Sequence, residues 1–474
     1  KEFQAIKAML ALAASARWQE HAQLPADRGV RELLTGLPSQ DSTILDVSDS
    51  TITGQRSIEA TYTRPYQAHG SIGPSCAVAQ FSEGAMTVWT HTQGVYPDRQ
   101  AIAEMLHLPP DGVRLIHIEG SGCYGHNGAD DVAADAALIA SLLPGHPIRV
   151  QWMREQEHAW EPFGPAMLTQ VKASLDASGH IADWRFEVWS NTHSMRPGGA
   201  GCLLAAQHKA EPIAVPAPKP LPLPEGGGDR NAIPIYAFPN AKVVHHFISE
   251  MPLRISAMRS LGAYHNVFSI ESFMDELAAA AGADPVEFRL AHLKDQRARD
   301  VVTKAAEGFG WSRRQKPAAG RGYGFAFARY KNLAAYCAIA SEVEVINETG
   351  RARLVRAVAV VDAGQIVNPN GLINQIEGAI VQSSSWTLYE SVSFDETRIT
   401  SIDWQTYPIL RFNTVPESIE VHLIDRPGLP FLGAGETAQG PAAASIANGI
   451  ANAIGKRLRD LPLTRQRIRA AIEA

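Results

Sequence analysis

Apolar residues recur along this chain with two different periods, and segments of the two kinds alternate. A step of three to four residues marks helices. It runs through Phe3, Ile6, Leu10 and Leu12 over 2–15, and through Ile270, Phe273, Met274 and Leu277 over 266–281. After Pro441 it continues through Ile446, Ile450, Ile454 and Leu458. Gly282 stops the second helix, and Asp284-Pro285-Val286-Glu287 reads as a capping box opening the next. Further helices are predicted from Pro97, placed at the first helical position, over 130–143, and over 373–384. Strands are predicted at 57–63, 76–81, 85–90, 113–118 and 148–152, and as a hairpin of 167–175 with 181–189. Others follow at 323–328, 338–346 and 354–361, with two more before residue 431. Residues 20–45 read as polar and irregular. Residues 211–228 are proline-rich and end in three glycines, which gives an extended stretch, either a linker or a long loop over a neighbour. A boundary near Asp295 divides the chain into 1–50, 51–295 and 296–474.

Composition narrows the class. With 474 residues, two or three domains are expected, and 45% hydrophobic with 19% charged residues describes an ordinary globular chain. A net charge of −6 gives no nucleic-acid or anionic-membrane surface. No apolar run reaches the length of a membrane span. The four cysteines, Cys76, Cys123, Cys202 and Cys337, form no C-x-x-C pair, which argues against a zinc ribbon or an iron–sulfur cluster held by this chain. Lys1 opens a helix without initiator Met or signal peptide, as expected for a piece of a longer product.

Candidate chemistry centres on Phe431-Leu-Gly-Ala-Gly-Glu-Thr-Ala-Gln-Gly-Pro441. Gly433 and Gly435 let the backbone approach a ligand closely, and Glu436 follows them ahead of an apolar helix. A carboxylate there is a candidate general base; the alternative is a helix cap by Glu436 or Thr437. Gly120-Ser-Gly-Cys-Tyr-Gly125 spells the dinucleotide fingerprint, but its helix starts late and no acidic residue ends a second strand at the usual distance. A loop bringing amides to another phosphate or oxo ligand, or a tight turn, fits better. His117, Glu119, Cys123 and His126 match no zinc spacing and read as structural. Glu155, Glu157, His158 and Trp160 read as surface and packing. Gln93 either bonds an oxo group or ends a strand. Arg259 either grips a phosphate or pterin edge through its planar fork or makes an interdomain ion pair. Gln375 offers a cofactor contact or a helix-start hydrogen bond.

Together these stretches resemble the molybdenum-binding large subunit of the xanthine dehydrogenase family, the molybdenum hydroxylases. The likeness is nearest to the isoquinoline oxidoreductase and nicotinate or aldehyde dehydrogenase branch. It rests on Thr90-His-Thr-Gln93, Gly120–His126, Ala257–Gly262, Val367–Gly371 with Asn374–Gly378, and Gly433–Gly440. The resemblance implies an α+β fold of two mixed α/β cofactor-binding lobes, 51–295 and 296–474, with molybdopterin between them. It implies Glu436 as the active-site base. Gln93, Gly122, Cys123, Tyr124, Arg259, Gln375, Gly433 and Gly435 would lie at the cofactor and Leu261 in the substrate pocket, with no side-chain metal ligand. The cytosine dinucleotide form of the cofactor is expected. Cys123 and Leu261 stand where the family has aromatic residues, which speaks against a purine and leaves aldehydes and small N-heteroaromatics. The family's M-E-P reads Ile72-Gly-Pro74 here, and its E-M-G-Q-G loop and hammerhead domain are not in these residues. The expected partners are therefore a small two-iron two-sulfur subunit, a chain or segment carrying that N-terminal part, and a c-type cytochrome as a further acceptor. A periplasmic or membrane-associated placement through partners is favoured over a cytoplasmic one. The competing readings are a nicotinamide-dependent dehydrogenase using Gly120–Gly125 and a non-catalytic scaffold subunit.

Overall fold

The computed structural model describes residues 1–18, 22, 24, 25, 29–49, 51, 52, 54–315 and 317–474. In chain order its strands are β1 (Ser39–Val47), β2 (Arg56–Arg64), β3 (Cys76–Ser82), β4 (Ala85–Thr90), β5 (Val113–His117), β6 (Pro147–Gln151), β7 (Met167–Leu175), β8 (Ile181–Asn191), β9 (Asn240–Ile248), β10 (Arg321–Arg329), β11 (Tyr336–Ile346), β12 (Arg351–Asp362) and β13 (Ser418–Ile424). They form three sheets, ordered β1-β9-β8-β7-β2, β5-β4-β3-β6 and β10-β11-β12-β13. Each sheet is antiparallel except for one parallel step: β8 to β9, β4 to β5, and β12 to β13.

Parallel neighbours cannot be joined by a tight turn, so the chain must cross over at each of these steps. The helix Val95–Leu106 makes the crossing between β4 and β5, and Pro369–Leu388 lies in that between β12 and β13. The proline-rich stretch lies inside the crossing from β8 to β9, so it is not a linker between lobes. Its prolines are mostly exposed, whereas residues 226–231 are buried.

Two helices occupy the centre of the largest core, Ala263–Ala281 and Gln439–Ile454, between the five-stranded sheet and β10–β13. Gln439–Ile454 lies so close on β10 that a Cβ added at Gly324 would stand 1.9 Å from the Ser445 carbonyl oxygen. That contact seats the turn carrying Glu436. A second core packs the sheet β5-β4-β3-β6 under the alanine-rich helix Ala129–Leu142.

Several expectations need correction. β1 and a short helix, Val30–Thr35, lie in the stretch read as irregular; β1 is a mostly exposed edge strand whose polar residues hide the alternation. β9 and the helix Gln296–Phe309, which buries Ala298, Val301, Val302, Ala305 and Phe309, were not anticipated. Among the described residues one strand, β13, lies between the helix Pro369–Leu388 and residue 431, rather than two. Much of 395–406 is turned instead by the Asp395 and Asp403 carboxylates, which accept from Thr397, Arg398, Gln405 and Thr406 N–H groups. Pro97 is third in its helix, and Leu458 falls beyond the left-handed Gly455 that ends Gln439–Ile454. The helix Glu2–Ser15 forms as predicted but buries none of its residues. Among the described residues no helix is long and apolar enough to cross a membrane.

Candidate active site around Glu436

Glu436 does not cap the helix that follows it. That helix starts from Ala438 without a side-chain cap. The carboxylate instead reaches across to two distant segments. Its Oε1 accepts from the Ser260 N–H at 2.8 Å, and its Oε2 accepts from the Tyr330 hydroxyl at 2.7 Å. Ser260 and Leu261 both take left-handed conformations, φ 75° and 51°, unusual for residues with a side chain. The turn is held by the Ser260 hydroxyl, which donates to the Glu436 carbonyl at 2.8 Å. Tyr330 is buried and accepts from Arg230 Nη1 at 2.5 Å. Burial and the Glu436 charge push the phenol pKa up, so Tyr330 keeps its proton and stays a donor.

Arg259 organises the other side of the turn. Its Nε donates to the Gly435 carbonyl at 2.8 Å, and its Nη2 to Gln375 Oε1 at 2.9 Å. Its Nη1 donates to Gln382 Oε1 at 3.2 Å. With its amide oriented to satisfy its neighbours, buried Gln439 accepts from Arg259 Nε at 2.6 Å and donates to the Glu436 carbonyl at 3.1 Å. Among the described residues no carboxylate lies within ion-pair distance of Arg259, whose direct partners are carbonyl and amide oxygens, although the Glu436 charge acts on it. Gln375 lies in the helix Pro369–Leu388 and is tied to Arg259.

The glycine-rich loop runs beside this arginine. Gly125 pairs with Met258, the His126 N–H donates to Ala257 O at 2.9 Å, and the Arg259 N–H donates to Tyr124 O at 2.7 Å. Gly125 has φ 122°, and a Cβ there would stand 2.0 Å from Ala257 O, so only glycine fits. The Gly122 carbonyl accepts from Ser71 Oγ at 2.7 Å, which leaves Cys123 and Tyr124 at the bend. The Cys123 thiol donates to His91 O at 2.9 Å, and burial pushes its pKa up to about 12. Gln93 is exposed, but its neighbour Gly94 abuts the same loop, with a Cβ there 2.9 Å from the His126 ring. The loop's glycines thus serve close packing of chain on chain. The strand before it, β5, is an edge strand of a small mixed sheet, which is not the setting of a dinucleotide fingerprint.

Of His117, Glu119, Cys123 and His126, His126 places its Nδ1 3.3 Å from Asp130. Among the described residues no three His, Cys, Asp or Glu side chains stand close enough to hold a metal ion. Glu157 and His158 are interior rather than surface groups. Glu157 accepts from Ser75 N at 2.8 Å and Ser75 Oγ at 2.9 Å, and His158 packs edge-on against Trp404 and Tyr407.

A cavity of about 370 Å³ opens beside Glu436, lined by Glu225, Tyr330, Lys331, Phe431, Gly433 and Gly435 among others. Gln93, Cys123 and Leu261 do not line it. Leu261 is 9% exposed and offers its carbonyl to buried Arg64. Five residues of this arrangement have no role assigned from the sequence. Ser260 and Gln439 lie inside motifs quoted above and Gln382 in a predicted helix, but nothing local marks Tyr330 or Arg230.

Residues 45–215 and 228–293 match a molybdopterin cofactor-binding domain, and 267–416 match a second domain of that description. The chain belongs to the molybdopterin cofactor-binding family. The gap in the first match falls on the proline-rich crossing. The matched spans contain Gln93, Gly122, Cys123, Tyr124, Arg259, Leu261 and Gln375, while Gly433, Gly435 and Glu436 follow them. Among family members the chain is 39% identical to a nicotinate dehydrogenase subunit of Pseudomonas putida, over all of this chain and 40% of that protein. It is 28% identical to the beta subunit of isoquinoline 1-oxidoreductase of Brevundimonas diminuta, over 86% of this chain and 51% of that one. The chain therefore spans about half or less of these relatives. The fold is shared with quinoline 2-oxidoreductase from Pseudomonas putida 86, at TM-score 0.78 and 14% identity, covering 95% of this chain and 82% of that one.

Proposed function

We propose that this chain forms the base-bearing part of a molybdenum hydroxylase that oxidises an aldehyde or a small N-heteroaromatic, with water as the oxygen source. The observation that carries the reading is the Glu436 carboxylate, bordering an open cavity and held by two donors from separate segments. The surroundings suit a pterin. Among the described residues Thr437 Oγ1 is buried without a partner next to Glu436, and a Cβ at Gly433 would meet nothing within 4 Å. The donor set of Arg259, Gln375, Gln382 and Gln439 is guanidinium and amide, which matches a pterin edge or phosphate rather than a metal ligated by side chains.

When bound, the molybdenum cofactor supplies the two-electron oxidation of a carbon centre. The chain's own residues do the rest. Arg259 and Gln375 would hold the cofactor, with Gln93, Gly122, Cys123 and Tyr124 on the neighbouring loops. Gly433 and Gly435 allow it to approach the backbone. Glu436 takes a proton at a carboxylate oxygen while Ser260 and Tyr330 fix its direction. The cytosine dinucleotide form of the cofactor, a small two-iron two-sulfur subunit, a c-type cytochrome acceptor and a chain or segment completing the pocket belong to the same reading. That the relatives are named subunits supports partner chains in general.

Metal analysis of the complete holoenzyme, with an artificial electron acceptor and a panel of aldehydes and pyridine carboxylates, tests it. Stoichiometric molybdenum with turnover of at least one panel member is expected. A metal-free protein that binds NAD would replace the reading.

A further inference from the structure

The short turn Tyr330–Asn332 contributes Tyr330 and Lys331 to the lining of the cavity beside Glu436. Lys331 and Asn332 are consecutive left-handed residues, φ 56° and 54°. Such conformations persist where their surroundings over-determine them, and they gather at ligand sites. Here Asn231 clamps the turn: its Oδ1 accepts from Lys331 N at 2.8 Å, and its Nδ2 donates to Arg329 O at 2.8 Å. Asn332 Nδ2 donates to Ile233 O at 2.9 Å. The clamped turn sends Tyr330 to the base and leaves Lys331 in the cavity lining.

The Lys331 ammonium stands 5.7 Å from the centroid of the Tyr330 ring and pairs with the Glu225 carboxylate. The pair is lopsided. The Lys331 side chain is 22% exposed and Glu225 is 61% exposed. Glu225 lies within the proline-rich crossing, 3.7 Å from the buried Arg230 guanidinium as well, and its carboxylate is much more open to water than the ammonium of Lys331. A cation set one tyrosine away from the base, with a replaceable carboxylate on it, has the form of a carboxylate-recognition site.

We infer that Lys331 is the counter-ion for a carboxylate carried by the substrate, and that Glu225 occupies that place until the substrate enters. The substrate class is a small planar carboxylate, such as a heteroaromatic acid, bound with its ring across the face of Tyr330 towards Glu436. The inference rests on the hydroxylase reading for the carbon that is oxidised, but carboxylate binding is measurable without turnover.

Calorimetric titration of the complete holoenzyme with pyridine-3-carboxylate and pyridine-3-carboxamide is the test. The wild type should bind the carboxylate at least about 10-fold more tightly, the scale of a charge-assisted bond. Lys331→Gln should weaken carboxylate binding roughly 10- to 100-fold and leave the amide within about 3-fold, and Lys331→Arg should restore most of the loss. Glu225→Gln, at an exposed position that folding tolerates, should tighten carboxylate binding by about 3-fold. Equal affinity for the two probes in the wild type overturns the proposal. So does an equal loss for both in Lys331→Gln, or a fall in bound cofactor in that variant, which would give the lysine to a cofactor phosphate. If Lys331→Gln fails to fold, unchanged carboxylate affinity in Glu225→Gln overturns it. Turnover separates the two claims. A holoenzyme that discriminates between the probes but oxidises neither, nor any aldehyde, refutes the hydroxylase reading and keeps the recognition site. One that oxidises and binds both equally does the reverse.

Discussion

The Tyr330 hydroxyl donates a 2.7 Å hydrogen bond to the Glu436 carboxylate, joining the turn after β10 to the turn before the helix Gln439–Ile454. On its other side the same oxygen accepts from Arg230, so the tyrosine links an arginine to the Glu436 carboxylate.

Tyr330→Phe removes both bonds and leaves the buried Arg230 short of an acceptor. A loss of about 1–3 kcal/mol in stability is expected, with kcat lowered roughly 10-fold and cofactor content unchanged. Thermal unfolding, turnover and metal content of the holoenzyme check it; a wild-type kcat would remove Tyr330 from any part in positioning the base.

Glu436→Gln keeps the shape and the capacity to accept from Ser260 while removing the proposed base. Turnover should fall by roughly 10²- to 10⁴-fold, with molybdenum content near that of the wild type. Activity within a few-fold of wild type refutes the assignment.

Arg259→Ala and Gln375→Ala should lower molybdenum occupancy together with rate, because both side chains would face the cofactor. Elemental analysis decides the matter. Full occupancy with only a lower unfolding temperature would make their role the bracing of the Gly435 turn.

Burial raises the carboxyl pKa of Glu390 to about 7, and that of Glu157 likewise to about 7, with nearby Glu161 adding to both. The folded state therefore holds protons that the unfolded chain releases. The stability this provides is full below about pH 4.5 and is lost as pH rises through about 7. Glu390 accepts from the buried Tyr407 hydroxyl at 2.8 Å, a role a neutral amide oxygen can keep. Between pH 5 and 8 the unfolding temperature of Glu390→Gln should drop less than that of the wild type. Parallel curves would show that Glu390 does not titrate in this range.

The sequence by itself determined the helices whose apolar residues repeat in short steps, most of the strands that follow them, and the local motifs around Glu436, Arg259 and Gly120–Gly125. These are legible because periodicity, capping and glycine placement act within a few residues of one another. It also marked Arg259 and Glu436 as candidates, but each with a bland alternative that no local pattern could exclude. Tertiary structure removed those alternatives, by turning Glu436 onto Ser260 and Tyr330 and by giving Arg259 carbonyl and amide partners instead of a carboxylate. Tyr330 lies 106 residues from Glu436, and their meeting depends on how closely the helix Gln439–Ile454 settles on β10 at Gly324. The edge strand β1 pairs with β9 some 200 residues away, from Ser39 opposite Ile248, and its exposed polar faces carry no alternation to reveal it. The proline-rich stretch has the composition of a linker. Only the parallel pairing of β8 with β9 makes it a crossing, because strands that run side by side in the same direction need a long connection whatever its residues are.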